Sequence, residues 1–178
     1  VERTYNLWSF YLILLCIGLS LYSLYSNISN AWRIAPSNYV LLLVSIIAFI
    51  FGVIGFKDNR HWKSKTRSWL TLILSILFSL AIFYVILLSS LLSSMGVNEQ
   101  IKTVSSPDEN YTIDFYFYDA GASGSFGIRG ELNGPLWFKK RIFLQSGTEE
   151  VTVKWESNKI VVINDQTLDL DKGDTFRY

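Results

Sequence analysis

Three uninterrupted apolar stretches, residues 7–26, 39–56 and 69–92, contain no Asp, Glu, Lys, Arg or His. Each approaches the roughly 20 residues a helix needs to cross the hydrocarbon core of a bilayer, the second at the short end. Inside a bilayer every backbone polar group must find its partner within the segment, so stretches of this kind fold as helices. Trp8, Trp32, Trp62 and Trp69 fall near their ends, with Tyr5 and Tyr39 alongside. That distribution matches the aromatic belt of spanning helices. The expectation is three transmembrane helices with the lipid bilayer as their first partner.

Charge orients them. The segment Lys57–Arg67 between the second and third stretches carries five Lys/Arg (Lys57, Arg60, Lys63, Lys65, Arg67) against Asp58, whereas residues 27–38 carry only Arg33. Short loops rich in Lys/Arg stay on the cytoplasmic side. These five residues are therefore the topology determinants. They put the amino terminus inside and everything beyond Met95 outside. The first stretch is too long for the apolar region of a cleaved signal, lacks an Ala-x-Ala site after it, and has Leu15 rather than a small residue before Cys16. It reads as a retained span, with Cys16 as a small apolar packing residue. Ser45, Ala48 and Gly52 in the second stretch, and Ser75 and Ser79 in the third, allow close helix approach. Packing within the chain is the preferred use, and the sequence does not set the oligomeric state. Transporters and proton relays place ionisable groups inside the membrane. Without them, the bundle reads as an anchor.

The tail is a different material. Residues 1–98 hold seven Lys/Arg and two Asp/Glu, residues 99–178 nine and thirteen, so the tail carries a net −4. A mildly acidic tail argues against nucleic acid, which calls for a basic stripe. Residues 97–104 read as a tether and 105–178 as an extracytoplasmic β domain. In Tyr111–Tyr118, Tyr111, Ile113, Phe115 and Phe117 alternate with Thr112, Asp114, Tyr116 and Tyr118, the period of a half-buried strand. Further strands are expected at 126–132, 139–145, 150–155, 159–163 and 167–170, with Ser157-Asn158 and Asn164-Asp165 as tight turns. Trp155, in phase with Val151 and Val153, is the expected core anchor. The fold class is α+β: three transmembrane helices followed by a small antiparallel sheet domain, a sandwich or curled meander.

Several blocks of the tail carry a resemblance. They are Ser106-Pro107-Asp108-x-x-Tyr111-Thr112, Gly121-Ala122-Ser123-x-Ser125-Phe126-Gly127-Ile128-Arg129-Gly130-Glu131-Leu132-Asn133, Val153-x-Trp155 and Val161-Val162-Ile163-Asn164. Over about residues 104–171 the chain resembles domain-of-unknown-function family 5412. The resemblance implies a small membrane-anchored or exported envelope protein of Gram-positive bacteria, here multi-pass in the cytoplasmic membrane. It brings no catalytic residues. Family members mostly have one apolar segment, so three is a departure. Where the family often shows Gly-His, this chain has Asp165-Gln166.

The tail contains no His and no Cys, which removes Ser-His-Asp and Cys-His chemistry and the usual zinc ligands. His61 reads as a solvated loop residue. Asp169-x-Asp171-x-Gly173-Asp174 has its glycine fifth, where a calcium loop has it sixth, and reads as a turn. No metal, cofactor or catalytic residue is nominated. The weak binding candidates are Gly121, Ser123, Ser125, Arg129 and Glu131, since a glycine-rich loop beside an Arg can form an anion nest. The competing readings are a plain hairpin loop and an Arg129–Glu131 pair. Lys139-Lys140-Arg141 is a second positive spot. The expected function is a non-enzymatic envelope protein whose outer domain binds a protein or wall component, with immunity or stress protection as one version. The alternatives are a regulatory subunit acting through its helices and a carboxylate-only hydrolase.

Overall fold

A computed structural model describes residues 2–56, 62–121 and 124–178, with side chains from Thr4 onward. Three helices come first: α1 (Glu2–Ser29), α2 (Asn38–Gly55) and α3 (Trp62–Met95). All three are long and apolar enough to cross a membrane. At 1.5 Å per residue α2 extends about 27 Å, close to the roughly 30 Å hydrocarbon core. Helix α3, 34 residues long, runs about 50 Å. It begins seven residues before the apolar stretch because Lys63–Ser68 contains no Pro or Gly to stop a helix. The chain divides into two compact units, Val1–Leu24 with Ala35–Ser89 and Tyr25–Ile34 with Ser90–Tyr178.

In the helical unit, Ile13, Cys16, Leu41 and Ala48 are buried, with Leu12, Ile17, Leu19, Val44, Leu74 and Phe78 packed around them. The small residues sit where the helices meet. Ser45, Ala48, Gly52 and Ser75 are buried, and the Ser45 and Ser79 hydroxyls lie 2.8 Å apart. Packing within the chain therefore uses these positions. Leu14, Leu21, Leu43, Ile50, Leu77, Leu80 and Leu88 point outward, as lipid-facing side chains do.

The second unit is a two-sheet sandwich. One sheet has the order β1-β2-β3-β4-β8, formed by β1 (Val97–Ser105), β2 (Thr112–Asp119), β3 (Phe126–Asn133), β4 (Lys139–Ser146) and β8 (Phe176–Arg177). The other has the order β5-β6-β7, formed by β5 (Val153–Trp155), β6 (Ile160–Ile163) and β7 (Gln166–Asp169). All neighbours are antiparallel except β4 and β8. Ile113, Phe115, Ile128, Leu132, Ile142 and Phe143 from the first sheet bury against Val161, Ile163 and Leu168 from the second and Leu170 just after it.

Two expectations are corrected, and one strand is added to those expected. Residues 97–105 are a strand and not a tether: β1 pairs along β2 with a bulge between Gln100 and Lys102. It was missed because its side chains are almost all exposed, so an edge strand without an apolar face leaves no alternating pattern. Strand β8, two residues long at the border of the sheet, has no counterpart among the expected strands. Trp155 is half-buried at the margin of the core, and Phe115 and Phe143 are its fully buried centre. The Asn164-Asp165 turn is as expected, both residues having positive φ (45° and 66°) as a tight hairpin demands. Asp169–Asp174 is also a turn, with the Asp169 carboxylate accepting from the Asp171 and Lys172 amides.

Candidate functional site

The side of the five-stranded sheet away from the core is not simply solvated. Alternation along β2 and β3 sends Asp114, Tyr116, Arg129, Glu131 and Asn133 to that side. A bulge between Gly130 and Glu131 sets Glu131 opposite Arg141, with Lys139 opposite Asn133. The carboxyls of Asp114 and Glu131 are largely buried. Buried carboxylates persist only when paired. Asp114 accepts from Lys139 Nζ at 3.1 Å, Thr103 Oγ1 at 2.8 Å and Asn133 Nδ2 at 2.9 Å. Burial pushes the Asp114 carboxyl up, but the bonds from Asn133, Thr103 and Lys139 outweigh it and hold the group below the ordinary carboxylate range. Lys139 is the mirror case: burial lowers its pKa, while Tyr116 and Asp114 raise it to a net upward shift.

Glu131 gathers the rest. Arg129 Nε lies 3.1 Å from its Oε1, at an angle too bent for a hydrogen bond, with Arg33 Nη2 at 3.5 Å and Lys139 Nζ at 3.9 Å from Oε2. Arg129 also donates to Asn98 Oδ1 at 3.2 Å and sits 5.0 Å from the Tyr116 ring centroid, with Lys139 Nζ 5.5 Å from the same ring. The pairing of Arg129 with Glu131 thus matches the plainer of its two readings.

Arg33 arrives from the connection after α1. Arg33 and Lys139 form an antiparallel bridge, N to O at 2.8 Å and 3.4 Å. Trp137 Nε1 donates to the Ile34 carbonyl at 3.0 Å, and Trp32 packs against the sandwich core. Residues 32–34 thereby become a strap on the β domain.

The glycine-rich loop is built differently from an open nest. Gly121 has φ +64°, and its amide donates to Asp119 Oδ1 at 2.8 Å. Gly124 N donates to Gly121 O, and Ala120 N to the carbonyl of Ser125, which is itself exposed. These amides are spent inside the loop. Arg129 is three residues beyond Phe126, about 10 Å along the strand. The structure thus separates Gly121 and Ser125 from Arg129 and Glu131. Ser123, Lys57 and Arg60 lie outside the described residues. Lys63, Lys65 and Arg67 stand on the first turns of α3, where Arg67 Nε donates to Asn6 Oδ1.

Sequence reasoning missed Asp114, Arg33 and Asn6. Of these only Asp114 gave a signal, as an acid on the polar side of an alternating strand. Among the described residues no group of His, Cys, Asp and Glu could hold a metal ion.

The matching family model covers residues 64–178, about two thirds of the chain. The chain belongs to the family of unknown function DUF5412. The DUF5412 region takes in nearly all of α3 and both sheets, and leaves α1, α2 and the strap residues Trp32–Ile34 outside. One helix and the sandwich are thus what the family model covers in this chain. No curated protein and no solved structure matches the chain.

Proposed function

We propose that this is a multi-pass protein of a bacterial cytoplasmic membrane that displays its β domain outside and binds a protein or a wall component there without catalysing a reaction. Protection against an envelope-directed toxin is one role such display serves. The observation that carries the reading is the bridge between Arg33 and Lys139. It joins the first inter-helix connection to the tail, and three crossings require those two to share a side. The basic segment 57–67 and the amino terminus then share the other side, which charge retention assigns to the cytoplasm. The non-enzymatic part is supported by the state of the carboxylates on the polar face. Asp114 and Glu131 are tied to cations, which suits a recognition surface better than acid–base work.

The test is thiol labelling of intact cells with an impermeant reagent. Ser64 is buried, so Lys65→Cys and Glu149→Cys, both at exposed positions, are the useful sites. The native Cys16 is buried and gives little background. Glu149→Cys should label and Lys65→Cys should be spared. The reverse pattern would overturn the orientation.

A further inference from the structure

Arg141 is the charged group on the sheet face that the fold leaves unaccounted for. Half-buried on β4, it makes no hydrogen bond, and no ion pair within 4 Å, to any described residue, and its Nε is shut off from solvent without an acceptor. Its cross-strand neighbour Glu131 attracts it, yet Arg33, Arg129 and Lys139 already surround that carboxylate. Burial pushes the Arg141 guanidinium down from its ordinary pKa. Arg129, Arg33 and Arg177 push the same way, and Glu131 opposes them. A half-buried cation in this position is costly unless something compensates it.

The surroundings indicate what would. Ser26, Asn27, Ala31, Arg33, Glu131, Lys139 and Arg141 line a cleft, and every one of them belongs to the same compact unit. Its enclosed part is about 10 Å³, room for a single water-sized group, and the cleft opens outward. The carbonyls of the last turn of α1 contribute partial negative charge nearby, but none accepts from Arg141. Around the two carboxylates, Asp114 and Glu131, stand four cations, Arg33, Arg129, Lys139 and Arg141, an excess of two.

We propose that this cleft binds a phosphoryl group, one oxygen entering between Arg33 and Arg141 and the remainder lying at the mouth. A planar carboxylate is satisfied by one guanidinium fork. Three donors, Lys139 and Arg141 from β4 and Arg33 from the strap, suit a tetrahedral group with several oxygens and up to two charges, and guanidinium is the side chain best matched to it. Glu131 on the floor opposes the anion, which is why the excess of two cations matters. The phosphoryl group can come from a lipid headgroup or from free phosphate. The proposal rests on outward display only for which leaflet or solution supplies it.

The test uses the full chain purified in a neutral detergent, with thermal unfolding followed by near-ultraviolet circular dichroism. Sodium phosphate is compared with sodium chloride at equal ionic strength, and short-chain phosphatidylglycerol with the diacylglycerol of the same chains, which lacks the phosphoryl group. Phosphate and phosphatidylglycerol should each raise the midpoint over their controls if any phosphoryl group is accepted. A rise with phosphatidylglycerol alone assigns the site to a lipid headgroup. Arg141→Gln should weaken the apparent affinity by about tenfold or more, as expected for loss of a charge-assisted contact. Arg141→Lys, which retains the charge and loses the fork, should also weaken it, and serves if Arg141→Gln does not fold. Absence of any rise in the unmodified chain, or an unchanged response in both variants, overturns the site. The cysteine labelling is independent of this outcome. Labels as expected with no rise remove the site alone, and reversed labels with a rise keep the site and overturn the outward reading.

Discussion

Arg129 shows how far a single residue could be read. Its position two residues from Glu131 on an alternating strand makes the pair legible, and the structure brings the two to 3.1 Å. What the sequence hides is the second layer of contact, with Tyr116 from β2 and Asn98 from β1, since cross-strand register cannot be seen in one strand. Arg129→Lys keeps the charge but cannot stack on Tyr116, pair with Glu131 and reach Asn98 together. A loss of about 1–2 kcal/mol in denaturant unfolding is expected. No loss would mean that the contacts of Arg129 are dispensable to the fold and would return it to the list of free recognition groups. Asp114 adds a dependence on pH. Its carboxyl is held below its ordinary value in the folded state, so it stabilises the domain above about pH 4 and loses that contribution as pH falls through its folded pKa. Lys139 is shifted up, so its share is present below about pH 10 and lost as pH rises through its folded pKa. Asp114→Asn should flatten the acid limb of stability against pH, as read from unfolding midpoints across that range. An unchanged acid limb would place the acid sensitivity elsewhere.

At the scale of elements, apolar periodicity found what packing imposes and missed what pairing alone imposes. All three helices and six of the eight strands lie where apolar runs or alternation put them, to within a few residues except at the amino-terminal ends of α1 and α3. Strands β1 and β8 border the sheet, need no continuous apolar face and so leave no signal. The helical unit has a comparable blind spot at Asn6. This side chain is fully buried, donating to Gly55 O at 3.4 Å, to Ser64 O at 3.1 Å and to Ser68 Oγ, and accepting from Arg67 Nε. One amide thus ties α1 to the end of α2 and the start of α3. Gly55 is needed there because a Cβ would lie 2.8 Å from the Asn6 backbone. Asn6→Leu leaves the Arg67 Nε–H and the Ser68 hydroxyl short of a buried partner. Each such loss costs roughly 1–3 kcal/mol. The thermal midpoint of the full chain in detergent should fall clearly, with the far-ultraviolet helical signal retained below the transition. A midpoint equal to that of the unmodified chain would show that this knot contributes nothing to holding the helices.

For the whole molecule, the division that matters does not follow the order of the chain. Composition separates helices from tail at about residue 96, whereas the compact β unit also claims Tyr25–Ile34, the end of α1 and part of the connection after it. That capture depends on Trp32 packing against the sandwich core, on the Arg33–Lys139 bridge and on the Trp137–Ile34 bond. No local pattern could announce it, because Trp32 also fits the aromatic belt and long-range partners are invisible in a loop of this length. The consequence is quantitative. Residues 97–178 expressed alone should fold as a soluble β-rich domain, since the core of Phe115, Phe143 and their neighbours lies wholly within them. They should be less stable than the same domain in the full chain, because the strap is absent. Trp32→Ala in the full chain isolates that term. For a half-buried indole the cost should be about 2 kcal/mol, below the 3–5 kcal/mol typical of full burial. Amide hydrogen exchange on β4 should report it, because Lys139 pairs directly with Arg33. Faster exchange confined to Lys139 and its neighbours on β4 would identify the strap as a stabiliser of that end of the sheet. Unchanged exchange throughout β4 would mean that the strap merely rests on the domain, and the isolated tail would then match the full chain in stability.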